Sequence, residues 1–138
     1  MVEASEGDQA RILVVDDDER ARDLLVEVLG RRGHRAHIAS DGQTALKLLQ
    51  EKRPFYDLVI TDLNMPVMDG LELLQRIRER SLPVEVILLT SSPGHGMVTR
   101  ARELEAFAVL SKPCDLEELG RAVESALTRP ASRKGPAV

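Results

Sequence analysis

The chain of 138 residues contains one cysteine, Cys114, which rules out an intrachain disulfide and a cysteine-based zinc site. Tryptophan is absent and aromatics make up only 2%, with Phe55, Tyr56 and Phe107 the only three. Stacking platforms for single-stranded nucleic acid are therefore not expected, and the core must be built from Leu, Val, Ile and Ala. There is no excess of basic charge. The net charge of −4 lacks the basic face that a DNA-binding domain uses. No apolar run approaches the roughly 18 residues of a membrane span, and the acidic start Val2-Glu3-Ala4-Ser5-Glu6 does not have the form of a signal peptide. A cytoplasmic protein without direct membrane or nucleic-acid contact is the expectation.

What is present is ordinary for a globular domain, with 43% apolar and 30% charged residues, enough to bury a core at this length. Residues 1–10 are small, polar and without periodicity, and read as a disordered lead-in. Residues 129–138, with two prolines, a glycine and three basic side chains, read as a disordered tail or linker. A single domain over 11–128 lies between them.

Within that span two signals alternate. Short apolar runs at Ile12–Val15, Leu58–Ile60, Val84–Leu89 and Ala106–Leu110 predict strands buried on both faces, as in a parallel sheet. A weaker run, Arg35–Ala39, predicts an edge strand. Between them apolar residues recur at helical spacing: Ala21, Leu24, Leu25, Val28 and Leu29; Ala45, Leu48 and Leu49; Leu71, Leu74 and Ile77; and Leu116, Leu119, Val123 and Leu127. Ser40 with Gln43, and Asp115 with Glu118, have capping-box spacing, and Gly33 suits the residue after a helix end. The helix after the fourth strand is the weakest, with Met97, Ala101 and Leu104 as its apolar face and Ser91-Ser92-Pro93-Gly94-His95-Gly96 leading into it. That segment is expected to be the most mobile.

Five βα units in succession predict an α/β fold with helices on both faces of a doubly wound parallel sheet, a three-layer sandwich. Ligands of such sheets bind beyond the carboxyl ends of the strands. There the sequence sets Asp16-Asp17-Asp18, Asp62, Thr90 and Lys112-Pro113. Convergent carboxylates repel one another and call for a cation. The donors are all oxygens, which favours a hard ion such as Mg²⁺. With Lys112 and the Thr90 hydroxyl alongside, the set forms an electrostatic cradle for phosphoryl transfer in which a carboxylate is the nucleophile.

The order of Val14-Val15-Asp16-Asp17, Asp62-Leu63-Asn64-Met65-Pro66 with Asp69-Gly70, Leu89-Thr90-Ser91 and Lys112-Pro113 resembles the receiver domain of two-component response regulators over roughly residues 10–128. The resemblance implies a flavodoxin-like (βα)5 sheet of strand order 2-1-3-4-5. It also implies that Asp62 accepts a phosphoryl group from a phosphohistidine on a sensor histidine kinase or phosphotransfer protein. Asp17 and Asp62 would bind Mg²⁺, for which Mn²⁺ can substitute, with the Asn64 backbone carbonyl, while Asp16 acts through water. Lys112, Thr90 and Ser91 would handle the phosphoryl oxygens. The fourth helix, fifth strand and fifth helix would then form the surface that binds a downstream partner or output domain, with a homodimer left open. Val109 stands where many members carry Tyr or Phe, so the usual ring of the switch is absent.

The reading is of a switch rather than a conventional enzyme. An aspartate-nucleophile phosphatase is disfavoured because Asn64 occupies the position where such enzymes place a general acid. A scaffold that no longer uses phosphorylation is the other alternative. His34, His37 and His95 read as surface residues, and Cys114 as a small apolar side chain beside the last helix. Gly94-His95-Gly96 is not a dinucleotide loop.

Overall fold

A computed structural model of the chain describes residues 10–51 and 55–128. The expected lead-in over 1–10, apart from Ala10, and the expected tail over 129–138 lie outside the described residues. Strands β1 (Arg11–Val15), β2 (Arg35–Ala39), β3 (Leu58–Asp62), β4 (Glu85–Thr90) and β5 (Ala108–Ser111) alternate with helices α1 (Glu19–Arg31), α2 (Gly42–Gln50), α3 (Gly70–Glu79), α4 (His95–Glu103) and α5 (Leu116–Leu127). All strand pairs are parallel and the order is β2-β1-β3-β4-β5.

The three central strands are apolar on both faces because both faces are covered. Successive side chains point to opposite sides. Ile12, Val14, Leu58, Ile60 and Ile87 pack with Leu25 and Leu29 of α1 and Leu119 and Val123 of α5. Leu13, Val15, Val59, Val86 and Leu88 pack with α2, with Leu73, Leu74 and Ile77 of α3, and with Ala101 of α4. Each fully buried Leu or Ile contributes about 1.5–3 kcal/mol through the area it removes from water.

Aspartates cap four of the five helices: Asp18, Asp41, Asp69 and Asp115 each accept a backbone N–H from the first turn. Both expected capping boxes need correction. Helix α2 is capped by Asp41, which takes the Thr44 amide at 2.7 Å, rather than by Ser40. A carboxylate at a helix N-terminus bonds the free amides more strongly than a hydroxyl and complements the helix dipole. Asp115 does cap α5, through the Glu117 amide at 2.8 Å rather than that of Glu118. Gly33 closes α1 with φ +88, its amide on Gly30 O and that of His34 on Leu29 O, the paired bonds of a Schellman end.

Other expectations also shift. Leu24 and Leu116, counted in the apolar stripes, are exposed. His95 is the first residue of α4 rather than part of its approach. His34 is no plain surface residue. Its side chain is only 11% exposed, and Nε2 lies 2.9 Å from Glu124 of α5. His37 is exposed but pairs with the Tyr56 hydroxyl at 2.8 Å. No helix among the described residues is long and apolar enough to cross a membrane.

Candidate functional site

Parallel strands deliver their carboxyl ends to one edge of the sheet, and that edge gathers residues scattered through the sequence. Asp16 follows β1, Asp62 ends β3, Thr90 ends β4 and Lys112 follows β5. Carboxylate oxygens of Asp16, Asp17 and Asp62 all lie within 4.8 Å of one another. Asp16 and Asp62 are buried while Asp17 faces solvent.

Lys112 joins the two buried acids. Its Nζ donates to Asp62 Oδ1 at 2.8 Å and lies 3.4 Å from Asp16 Oδ2. Burial pushes the Asp16 carboxyl above its usual range, and the Asp62 charge adds to this, against the opposing Asp18 amide and the Lys112 charge. For Lys112, burial works against the charged form, yet the hydrogen bond to Asp62 and the charge of Asp16 outweigh it, so its pKa is raised. One ammonium thus serves two carboxylates, and among the described residues Asp17 has none.

Backbone bonds hold the frame. The Asp16 amide donates to Ala39 O, the Leu63 amide to Leu89 O and the Lys112 amide to Thr90 O. Asp16 Oδ1 accepts the Asp18 amide at 2.9 Å, which turns the chain from β1 into α1. The loop after Asp62 is drawn in by the buried side chains of Met65 and Met68. It closes where the Gly70 amide meets Leu63 O at 2.8 Å. Only glycine fits there. A Cβ at position 70 would sit 2.5 Å from the Asp62 carbonyl oxygen.

The remaining expected residues are distributed unevenly. Asn64 is exposed on the loop two residues after Asp62. Thr90 is fully buried, and its Oγ1 accepts the Ser92 amide at 3.1 Å. Ser91 is exposed and, with Lys112, Pro113, Cys114, Leu24 and Leu116, lines a largely apolar groove of about 370 Å³ beside the acids. Val109 packs on the side of the sheet that carries α4, against the cluster that includes Ala101, whereas Phe107 packs on the α1 and α5 side. Burial raises the Cys114 thiol pKa.

Two residues escaped the sequence reading. Arg22 of α1 folds back so that its Nη1 donates to the Asp16 carbonyl at 2.9 Å. Arg78 of α3 bonds three backbone carbonyls near α4 and β4. Backbone acceptors leave no pattern in a sequence, so no signal marked either one.

The family model described as the response regulator receiver domain matches residues 12–124. The chain belongs to that family. As a receiver domain it is 36% identical to sporulation initiation phosphotransferase F of Bacillus subtilis over 117 residues, which is 85% of this chain and 93% of that protein. It is also 36% identical to the regulatory protein AtoC of Escherichia coli and 40% identical to the sensor histidine kinase RcsC of the same organism. Those matches cover 90% and 82% of this chain but only 26% and 12% of the relatives. Among solved structures, the chemotaxis protein CheY4 of Vibrio cholerae superposes with a TM-score of 0.79 at 30% identity, over 86% of this receiver domain and 99% of that chain. The receiver domain of an HD domain-containing protein from Pseudomonas fluorescens Pf-5 also gives 0.79, at 37% identity, over 86% and 94%. The observed strand order is that of the CheY-like flavodoxin fold.

The donor set suits a divalent ion. One ammonium serves two of the three carboxylates, the third is open to solvent, and no sulfur or imidazole lies in the cluster. Hard oxygen donors of this kind suit Mg²⁺ better than zinc or copper.

Proposed function

We propose that this receiver domain is a phosphorylation switch in which Asp62 accepts a phosphoryl group from a phosphohistidine on a sensor histidine kinase or phosphotransfer protein. The observation that carries the reading is the Lys112 ammonium bridging Asp16 and Asp62 inside a cluster of three acids.

An oxygen of Asp62 attacks phosphorus while the P–N bond breaks and its electron pair returns to the imidazole nitrogen. Lys112, already bonded to Oδ1, neutralises the carboxylate and then the phosphoryl oxygens. The Thr90 hydroxyl turns from the Ser92 amide to donate to a phosphoryl oxygen. Asp17, Asp62 and the Asn64 carbonyl would hold Mg²⁺, with Asp16 contributing through water. When bound, the ion offsets the negative charge of acids and phosphoryl group together. Burial of Asp62 limits the water that competes with the donor at the reacting carboxylate.

The donor protein docks over the groove lined by Leu24, Cys114 and Leu116, because a phosphohistidine must come within bonding distance of Asp62 and this is the apolar surface beside it. The two exposed leucines, which helical spacing assigned to the core, supply that contact. The face formed by α4, β5 and α5 carries the outcome to a downstream protein. The domain acts as a phosphoacceptor and not as an enzyme with turnover of external esters.

Incubation with acetyl phosphate and Mg²⁺, followed by intact-mass spectrometry, tests the acceptor. The wild type should gain one phosphoryl group and Asp62→Asn none. Gain by the variant at the wild-type rate overturns the assignment. The intact acid cluster argues against the scaffold alternative, for which Val109 leaves only slight room, and equal partner binding with and without beryllofluoride would favour it.

A further inference from the structure

The two ends of α4 are held in different ways. At the C-terminal end Leu104 is the cap and Glu105 takes a left-handed φ of +61. The Glu105 and Ala106 amides return to Arg102 O and Ala101 O, each at 2.9 Å. The next two carbonyls are taken by a side chain from another helix. Arg78 of α3 donates from Nε to Leu104 O at 2.9 Å and from Nη2 to Glu105 O at 3.0 Å. Its Nη1 donates to Val84 O at 3.0 Å, just before β4. One planar guanidinium therefore ties α3, the turn after α4 and the base of β4 together, and its charge sits where a helix C-terminus favours a cation.

The N-terminal end has no such fastening. Gly94 is the N-cap and, alone among the five helices, offers no side-chain bond to the first turn. Gly96 adds a weak helix former there. Residues 91–96 are all exposed. The side-chain bond that holds this approach is Thr90 Oγ1 to the Ser92 amide, 3.1 Å long.

We propose that Arg78 is the pivot of α4, so that movement of the Thr90 hydroxyl tilts the N-terminal end of the helix about a C-terminal end fixed to α3. This route runs through the β4–α4 backbone and needs no aromatic ring at position 109. A helix of nine residues is about 13 Å long, so a tilt of roughly 10° carries its first turn about 2 Å while Leu104 stays in place. The part played by phosphorylation rests on the function proposed above; the pivot itself does not. Arg78 is thus a positioning residue, acting on the switch through α4.

The test uses the full chain without phosphoryl donor. In Arg78→Lys, whose ammonium cannot reproduce the planar fork, amide hydrogen exchange at Leu104, Glu105 and Ala106 should quicken about tenfold relative to the β1 and β3 amides, the size expected for one lost charge-assisted bond. The β-strand amides serve as an internal reference for global stability. Thr90→Val, which removes the acceptor of the Ser92 amide, should shift the NMR amide signals of residues 91–98 and leave 104–107 in place. In the Arg78→Lys background the same change should spread to 104–107, a coupling that mere destabilisation does not produce. Unchanged relative exchange in Arg78→Lys, or the same set of shifted amides in both backgrounds, overturns the pivot. Failure of beryllofluoride to bind at Asp62 would instead overturn the proposed phosphorylation and leave these results standing.

Discussion

Two identical substitutions in this domain should change its stability in opposite directions. Gly70 begins α3, and a Cβ there would meet the Asp62 carbonyl oxygen at 2.5 Å, Leu63 Cα at 3.0 Å and the Asp62 carbonyl carbon at 3.2 Å. All three atoms are backbone, so no rotamer change relieves the clash. The gain in helix propensity from Gly→Ala is at most about 1 kcal/mol, while overpacking against a fixed frame costs about 1–3 kcal/mol. Gly70→Ala should therefore lower stability by about 1–2 kcal/mol, roughly 3–10 °C in Tm for a chain of this size. Gly30 lies in α1 with nothing within 4 Å of the added Cβ, and is exposed. Gly30→Ala should raise stability by about 0.5–1 kcal/mol, because only the propensity gain remains. Urea titration of both variants beside the wild type measures the difference. Gly70→Ala should also slow phosphorylation by acetyl phosphate, because α3 is pushed against the carbonyl that precedes Leu63, while Gly30→Ala should not. If the two substitutions shift the urea midpoint in the same direction, the close approach at Gly70 does not govern the site.

Asp41 caps α2 and its pKa is lowered, chiefly by the Thr44 amide, so its contribution is present above the ordinary carboxyl pKa and is lost as pH falls through the lower folded value. Asp41→Ala should cost about 1 kcal/mol at pH 7, and its difference from wild type should shrink under acid, as followed by denaturation across pH. If the Asp16, Asp17 and Asp62 cluster binds Mg²⁺, a concentration about 100 times the Kd should add roughly 2.7 kcal/mol to wild-type stability. Asp17→Ala, at an exposed position, should remove that gain in a calorimetric scan while leaving the metal-free Tm near wild type; an equal Mg²⁺ response would place the ion elsewhere. Val67 is 88% exposed and sits at φ +70, a conformation that a β-branched residue adopts only under strain. Val67→Asn should raise stability by about 1 kcal/mol, and a lower urea midpoint would refute the strain.

The strands were legible because burial on both faces demands continuous apolar runs, and β2 was found at its expected residues, Arg35–Ala39. The acids and the lysine could be read because each sits directly at a strand end, where the topology brings distant residues together. Helix margins were less clear. Spacing of three and four placed Leu24 and Leu116 in the core, yet a residue at the edge of a stripe can equally line a groove, and both do. Ser40, with Gln43 three residues on, was expected to cap α2, but the neighbouring carboxylate of Asp41 took the cap. His34 looked ordinary because its partner, Glu124, is 90 residues away. Arg22 and Arg78 were invisible for a different reason: their partners are carbonyl oxygens, which every residue possesses.

The distance in sequence between Lys112 and its partners also governs when the chain becomes competent. The ammonium lies 96 residues after Asp16 and 50 after Asp62. During synthesis the acids emerge first, and a product that stops short of β5 carries them without the Lys112 ammonium, beside an uncovered β4. Such a fragment has the proposed nucleophile and the acids that would hold an ion, but lacks the ammonium that pairs with Asp62. If the function proposed above holds, truncation before β5 should yield a silent protein instead of a deregulated signal, and ready acceptance of phosphate should mark a chain whose last strand has docked.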